Sequence, residues 1–338
     1  MAVRLKDIAQ DLGLSTVTVS KVLRNNPDIS DRTRALVLKR MQELNYRPNM
    51  LARGLASGRS HTVGLVVPDL VHPFFGELAK SLGGVLRQSG RALILASSEE
   101  DPEIEQQEIR TLLTRGIDVL VVASCQAAPT REQLQGDATT PILFVDRHLP
   151  DRSTHFVGTD DVMAGEMATR HLLEMGKTRV AHLGGQGMSP SLDRLAGYRA
   201  ALREAGIPVR EDYIVTRARF EESGDSAGYQ AMQELLTRSP RPDAVFCYND
   251  LSAIGAMKAT LEAGLRIPED IAFVGCGNLR YAEHLKVPLT SIDHSTQQMG
   301  EIAARLAIEL ATTPGLEPRS VKLAPKLVIR ASSVVKHG

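Results

Sequence analysis

From Thr62 onward the chain repeats one unit, a short and almost wholly apolar run followed by an amphipathic helical stretch. TVGLVVPD, RALILASS, DVLVVAS, PILFVDR and HFVGTD come first; RVAHLGG, DYIV, DAVFCYND and IAFVGCGN follow. Strands apolar on both faces must be covered on both faces, and alternation with helices is how a parallel sheet achieves this. The spacing predicts helices over Phe75–Ser89, Pro102–Arg115, Val162–Met175, Arg194–Ala205, Ser223–Leu236 and Leu251–Ala263. Nine such runs exceed one comfortable sheet, so two similar α/β lobes are expected, with the break near Thr159–Met163.

The first sixty residues follow another rule. In LKDIAQDLGLSTVTVSKVL, Ile8, Ala9 and Leu12 give a first helix one apolar face, and Gly13 supplies the turn that ends it. Ser15 is placed to cap a second helix whose buried face is Val19, Val22 and Leu23; Thr16, Val17, Thr18, Ser20 and Lys21 stay outside. Ser30 opens a third helix, with Ala35, Val37, Leu38, Met41 and Leu44 as core candidates. The expected core of the head is Ile8, Ala9, Leu12, Val19, Val22 and Leu38. Two short helices on a tight glycine turn, the second carrying small polar residues and a cation on its free face, suit a DNA major groove. Charge agrees: residues 1–60 hold 11 Lys/Arg and 5 Asp/Glu, or +6, against 29 and 35, or −6, in the rest of a formally neutral chain. A basic module on an acidic body points to a polyanion at one end only.

Pro48 stops the third helix, and Asn49 can cap the short stretch MLARGLAS. That stretch is too short to be stable alone, and Gly54 weakens it further. It reads either as a hinge that orders on DNA or as a plain linker. The expected organisation is a helix-turn-helix domain over 1–47, a hinge over 48–60 and an α/β body over 61–338.

The remaining composition narrows the function class. Hydrophobic residues make up 43% and charged residues 24%, as in ordinary soluble globular proteins. No apolar run reaches membrane-spanning length, and MAVRLKDIAQ is charged and amphipathic, unlike a secretory signal; a cytoplasmic protein is expected. Cys125, Cys247 and Cys276 sit singly in or beside apolar runs and read as buried hydrophobes. No phosphate-binding loop, nucleophile elbow, HExxH or CxxC pair occurs, and the nine histidines lack metal-ligand spacing. No enzyme, cofactor or metal site is expected. A nucleoside or sugar hydrolase on a similar body is made improbable by the basic head, and a transport binding protein by the lack of an export signal.

KDIAQDLGLSTVTVSKVL, LNYRPNMLARGLASGRSHTVGLVVP and YNDLSAIGAM together resemble the LacI/GalR family of bacterial transcription regulators. The resemblance runs through nearly the whole chain. It implies an all-α helix-turn-helix head and a periplasmic-binding-protein-like effector-binding and dimerisation body over 61–338, of two parallel-sheet lobes, with late segments crossing between lobes to form a hinged cleft, so that one subdomain takes about 61–161 and 294–321 and the other about 162–293 and 322–335. It also implies a repressor that binds a palindromic double-stranded operator as a homodimer, with an effector in the cleft altering DNA affinity. Thr16, Val17 and Lys21 match positions that meet base edges; Val17 can read only shape and a thymine methyl, unless it belongs to the core. Lys6, Ser15, Thr18, Ser20, Asn25, Ser30, Thr33 and Asn49 are assigned to phosphates, with Arg24 and Arg32 as additions. Leu55 matches a leucine wedged into a minor-groove step, beside Ala52 and Arg53, its alternative being closure of the hinge core. The chain ends without a leucine heptad, so a dimer is expected and not a tetramer.

In the cleft, the resemblance assigns His72, Phe74 and Phe75 of HPFF to the sugar face, and Arg194 to an effector clamp. Asp146 and Arg147 of FVDR, Phe220 and Asn249 match further cleft positions, and Asn278 stays nearby. Asp250 reads equally as a ligand and as the cap of a helix starting at Leu251. Two departures from the family pattern stand out: Gly277 replaces an acidic residue, and His72 an asparagine. They put a simple neutral hexose or pentose in doubt and point to an acidic or otherwise modified sugar. Whether the effector induces or corepresses, and whether a phosphorylated carrier protein acts instead, stays open.

Overall fold

The three head helices each follow from one apolar stripe and one local cap. Helix α1 (Leu5–Asp11) ends at Gly13, whose φ of 64° makes the turn and returns the Leu14 N–H to the Ala9 carbonyl. Helix α2 (Thr16–Leu23) begins where the Ser15 hydroxyl accepts the Thr18 N–H at 3.0 Å. Helix α3 (Asp31–Glu43) begins where the Ser30 hydroxyl accepts the Thr33 N–H at 3.3 Å. The core is Ile8, Ala9, Val19, Val22, Val37 and Met41, with Leu12, Leu23 and Leu44 half-buried against it. Two sequence expectations fail here. Leu38 is 47% exposed and Ala35 is exposed, because Val37 and Met41, four residues apart, form the stripe that meets α1 and α2, and Leu38 is turned about 100° from Val37.

The computed structural model describes residues 3–23, 26–46, 59–127, 134, 139–149, 154–185, 187–217 and 224–334, and the chain divides into two units, Met1–Ser60 and His61–Gly338. The larger unit holds two six-stranded sheets. The first contains β1 (Thr62–Val67), β2 (Ala92–Ser97), β3 (Val119–Val122), β4 (Ile142–Val145), β5 (His155–Thr159) and β11 (Ser320–Leu323), all parallel, in the order β11-β5-β4-β3-β1-β2. It is covered by α4 (Pro73–Gln88) and α10 (Thr296–Thr312) on one face and α5 (Pro102–Thr114) on the other.

The second sheet contains β6 (Val180–Gly185), β7 (Ile214–Arg217), β8 (Ala244–Cys247), β9 (Ala272–Cys276), β10 (Thr290–Asp293) and β12 (Lys326–Val328), in the order β12-β10-β9-β8-β6-β7. Only β12 runs antiparallel, because two residues separate it from β11 in the first sheet. Helices α6 (Asp161–Glu174) and α7 (Ser189–Glu204) cover one face; α8 (Gly224–Leu236) and α9 (Asp250–Glu262) cover the other. The chain passes between lobes three times, after β5, after β10 and after β11. No helix among the described residues is long and apolar enough to cross a membrane.

Helices α6 and α7 touch backbone to backbone through reciprocal glycines. A Cβ on Gly165 would run into the Arg194 carbonyl, and one on Gly197 into the Val162 carbonyl. Gly228 and Gly255 do the same for α8 and α9, against Ser252 and Asp225. Gly165→Ala should therefore cost about 1–3 kcal/mol by overpacking. Gly84→Ala, where nothing lies within 4 Å of the new methyl, should be neutral or slightly stabilising. Denaturant midpoints of the two variants check this, and equal midpoints would refute the close crossing.

The α6/α7 side of the second sheet also buries a histidine. His182 stacks between Tyr198 and Phe246, with ring centroids 5.4 and 4.9 Å away, and its Nδ1 lies 3.1 Å from the Phe246 carbonyl. Burial brings its pKa down to about 4. The unfolded chain takes up a proton near pH 6.5 that the folded chain refuses, so this contribution is complete above pH 6.5 and is lost as pH falls toward 4. The loss should reach about 2–3 kcal/mol by pH 4.5. His182→Phe should remove that part of the acid sensitivity, as read by urea midpoints at pH 7.5 and 4.5; an unaltered acid limb would exclude His182 as its source.

Candidate functional site

On the head, the free face of α2 carries Thr16 and Val17 at its exposed first turn. Val17 is 60% exposed, which removes it from the core. Thr18, Ser20 and Lys21 are half-buried on the same helix, and Lys6 and Arg32 are exposed. The hydroxyls of Ser15 and Thr18 pair at 2.9 Å, as do those of Ser30 and Thr33, so both pairs sit at helix N-termini, where backbone N–H groups favour an anion. Lys21 lies 3.4 Å from Asp28 in an exposed pair that is cheap to open. Arg40 is held by Asp11 at 2.7 Å and Glu43 at 3.0 Å. Arg24, Asn25, Asn49, Ala52, Arg53 and Leu55 lie outside the described residues.

In the body, the carboxyl ends of the strands from both sheets meet over a cleft lined by His72, Phe74, Phe75, Asp146, Arg194, Tyr248, Asn249, Cys276, Gly277 and His294. Ligands of open α/β sheets bind at this edge, because the loops there change direction between strands and helices. Six of the residues expected from sequence are brought together: His72, Phe74, Phe75, Asp146, Arg194 and Asn249. Arg147 is turned away, its Nη1 donating to the Ser124 carbonyl at 3.1 Å and its Nη2 lying 3.7 Å from Glu100. Asn278 is also turned away, donating to Asp293 at 3.2 Å and accepting from Arg330 at 2.7 Å. The left-handed backbone at Asp146 and Asn278, with φ of 63° and 48°, redirects the chain at both points. Phe220 lies outside the described residues. Tyr248, Cys276 and His294 were not expected from sequence; the usable signal was that each directly follows or ends a buried strand.

Arg194 organises the second-lobe wall. It is buried, with Nε donating to Asp161 at 2.8 Å, Nη1 to the Tyr248 carbonyl at 2.7 Å, and Nη2 3.4 Å from His294 Nε2. Its guanidinium also lies 4.8 Å from the Tyr248 ring centre. Burial pushes the Asp161 carboxyl upward while Arg194 pulls it down. A guanidinium does not give up its proton, so the carboxyl beside it stays ionised in preference to leaving a lone buried cation. Burial works against the charge on Arg194, and Asp161, with Cys276, Tyr248 and Asp146 adding to it, more than restores it.

Asn249, not Asp250, caps α9: its Oδ1 accepts the Ser252 N–H at 2.8 Å, and the Ser252 hydroxyl lies 3.2 Å from the Asn249 N–H. Its Nδ2 faces His72 Nε2 at 3.5 Å across the cleft. Asp250 is the first helical residue; its buried carboxylate accepts from the Leu279 N–H at 2.7 Å and the Ser291 hydroxyl at 2.6 Å, and burial raises it to about 6. Asp250 is thus a strut behind Gly277. Among the described residues the cleft encloses about 30 Å³, room for a water and not for a sugar, so this closure must open to admit one.

Two family models match the chain: "Bacterial regulatory proteins, lacI family" over residues 4–49, and "Periplasmic binding proteins and sugar binding domain of LacI family" over residues 60–331. The ribose operon repressor of Escherichia coli (strain K12) is 33% identical over 97% of this chain and 99% of its own. The HTH-type transcriptional regulator GalR of Escherichia coli (strain K12) is 35% identical over 97% of this chain and 95% of its own. The structure of a transcriptional regulator CelR–cellobiose complex aligns with a TM-score of 0.75 at 30% identity, covering 98% of this chain and 99% of that one. A helix-turn-helix head, a two-lobed body with a polar cleft and full-length similarity to such regulators lead to one statement: the chain belongs to the LacI family of bacterial transcription regulators.

Proposed function

We propose that this LacI-family repressor grips a two-fold symmetric operator in the cytoplasm as a homodimer, and that a neutral sugar in the cleft alters its DNA affinity. Thr16, Val17 and Lys21 meet base edges; Lys6, Ser15, Thr18, Ser20, Asn25, Ser30, Thr33 and Asn49 hold phosphates; Ala52, Arg53 and Leu55 enter the minor groove. Support for the dimer comes from apolar side chains left exposed on the body, Leu70, Val71 and Leu95 on the first lobe and Leu261 and Tyr281 on the second. The chain acts on transcription and is not an enzyme, as its relatives are regulators.

One observation carries the choice of effector: the clamp arginine is already neutralised. At the cleft, two carboxylates (Asp161 and Asp146) stand against one guanidinium (Arg194), since Arg147 is turned away toward Glu100. A sugar acid would bring a third negative charge to a wall whose described cation already faces Asp161. Gly277 then reads as space for the ligand, not as a device to admit a negative charge. The names of two relatives, a ribose operon repressor and a cellobiose-bound regulator, also point to neutral sugars. The effector shifts operator affinity only by its preference for one lobe closure over another. Calorimetry with D-ribose, D-galactose and cellobiose against D-gluconate and D-glucuronate should show a neutral sugar binding and the acids not binding. Tighter binding of an acid would overturn the charge argument.

A further inference from the structure

We propose that His148 and Asp193 form a latch between the two lobes, one that holds the cleft shut while the imidazole carries both ring protons and lets it part as pH rises. The latch stands apart from the sugar reading, because the contact joins the lobes whatever the cleft takes. His148 lies just beyond β4 in the first lobe, and Asp193 lies on α7 in the second. The histidine reaches across twice. Its backbone N–H donates to the Ser189 hydroxyl at 2.9 Å, and its Nε2 lies 2.9 Å from Asp193 Oδ2.

The proton state follows from the two neighbours of the ring. Nε2 faces a carboxylate, and Nδ1 lies 3.2 Å from the Leu149 carbonyl. Both partners only accept, so both are satisfied only when each nitrogen carries a proton. A neutral ring leaves one of them without its donor. The other described groups around the ring are few. From β11, Lys322 opposes the second proton; from β5, Phe156 meets the ring edge-on at 5.6 Å and carries no charge. From α6, the Asp161 carboxylate feels the His148 charge, but Arg194 already faces it. Arg147, the preceding residue, is turned toward Ser124 and Glu100. The hydrogen bond to Asp193 outweighs burial and Lys322, and the His148 pKa stands above its ordinary 6.5.

Closure therefore takes up a proton. With the lobes apart, Asp193 leaves and the ring returns toward 6.5. The latch is fully engaged below pH 6.5 and is lost as pH rises through the higher value of the closed state. The Ser189 contact involves no titrating group and holds at any pH. The side chains of His148 and Asp193 are 31% and 24% exposed, so solvent screens the pair, and the closed-to-open ratio should change by about 2- to 5-fold. Position gives this modest effect its reach. The next residue of α7 is Arg194, which holds the second-lobe wall of the cleft, so latch and wall move on one helix. Any ligand that prefers the closed lobes then binds in step with protonation.

The test uses the full-length protein with spin labels at Glu103→Cys and Ser226→Cys, diluted with an excess of unlabelled chain so that a dimer carries one labelled copy. Both positions are exposed and stand beside β2 and β7, the sheet edges farthest from the passages between lobes. The three native cysteines are buried. Double electron–electron resonance should show the ratio of short to long distances falling about 2- to 5-fold from pH 6 to pH 8.5. His148→Gln and Asp193→Asn should each abolish that fall. Ser189→Ala should favour the longer distance at both pH values and keep the fall. NMR titration of ¹³C-histidine protein, with the His148 signal identified by its loss in His148→Gln, should give a midpoint above 6.5 that drops in Asp193→Asn. The same distances at pH 6 and pH 8.5, or a pH response that His148→Gln retains, overturn the proposal. A His148 midpoint that Asp193→Asn leaves in place overturns it as well.

Discussion

Raising the salt concentration from about 50 to about 200 mM should weaken operator binding by about 10³-fold. The estimate counts three cations placed at the DNA-reading face among the described residues. Lys6 and Arg32 are exposed, and Lys21 is held only by an exposed pair with Asp28. Arg40 and Lys39 are not counted, because Asp11 and Glu43 already engage them. Three cations on each of two heads neutralise about six phosphates and release the ions condensed there, which gives a slope near −5 in log affinity against log salt. Fluorescence anisotropy with a labelled operator across a salt series measures that slope. Lys6→Gln should make it shallower by about two, one phosphate per head, and weaken all duplexes alike. Val17→Ala should leave the slope alone and reduce discrimination among operators, because an apolar side chain contacts bases without displacing ions. A flat salt response would remove the head from DNA binding altogether.

What the sequence made legible was whatever depends on neighbours along the chain. Gly13, Ser15 and Ser30 are read by residues three or four positions away, so turn and caps follow from local chemistry. The strands are legible because being apolar on both faces leaves only an interior position. The core of α3 was not, because Ala35, Leu36, Val37, Leu38, Met41 and Leu44 contain two overlapping stripes at helical spacing. Only contact with α1 and α2 selects Val37 and Met41. The cap of α9 was misplaced by one residue: Asn249 and Asp250 both carry a capping oxygen, and the choice depends on Ser252 returning to the Asn249 backbone. Arg147 and Asn278 were assigned to the cleft by position, but left-handed residues at or beside them turn the chain so that they serve Ser124, Asp293 and Arg330. The pairing of Asp161 with Arg194 spans 33 residues and rests on two helices close enough to touch at glycines. No linear pattern announces that.

That pairing leads to the second large effect. Arg194→Met should destabilise the body by about 3–5 kcal/mol, because it leaves the Asp161 carboxylate buried without its cation. It also strips the Tyr248 carbonyl and His294 Nε2 of a donor. The cost is mostly that of an orphaned charge and not the net worth of the pair, so removing both partners should behave differently. Arg194→Met combined with Asp161→Leu should return stability to within about 1–2 kcal/mol of wild type, since apolar residues of similar volume often replace a buried ion pair at little cost. The two sites touch, so their effects will not add, and the coupling energy from the four proteins measures the pair. Effector response should separate from stability in the same set. The double variant should fold and bind operator yet ignore the sugar, because the wall that orients the ligand is gone while the head is untouched. Denaturant midpoints and operator release read these outcomes independently. A single Arg194→Met variant as stable as wild type would mean that Asp161 is not held ionised in the interior, and the charge count that favours a neutral effector would fall with it.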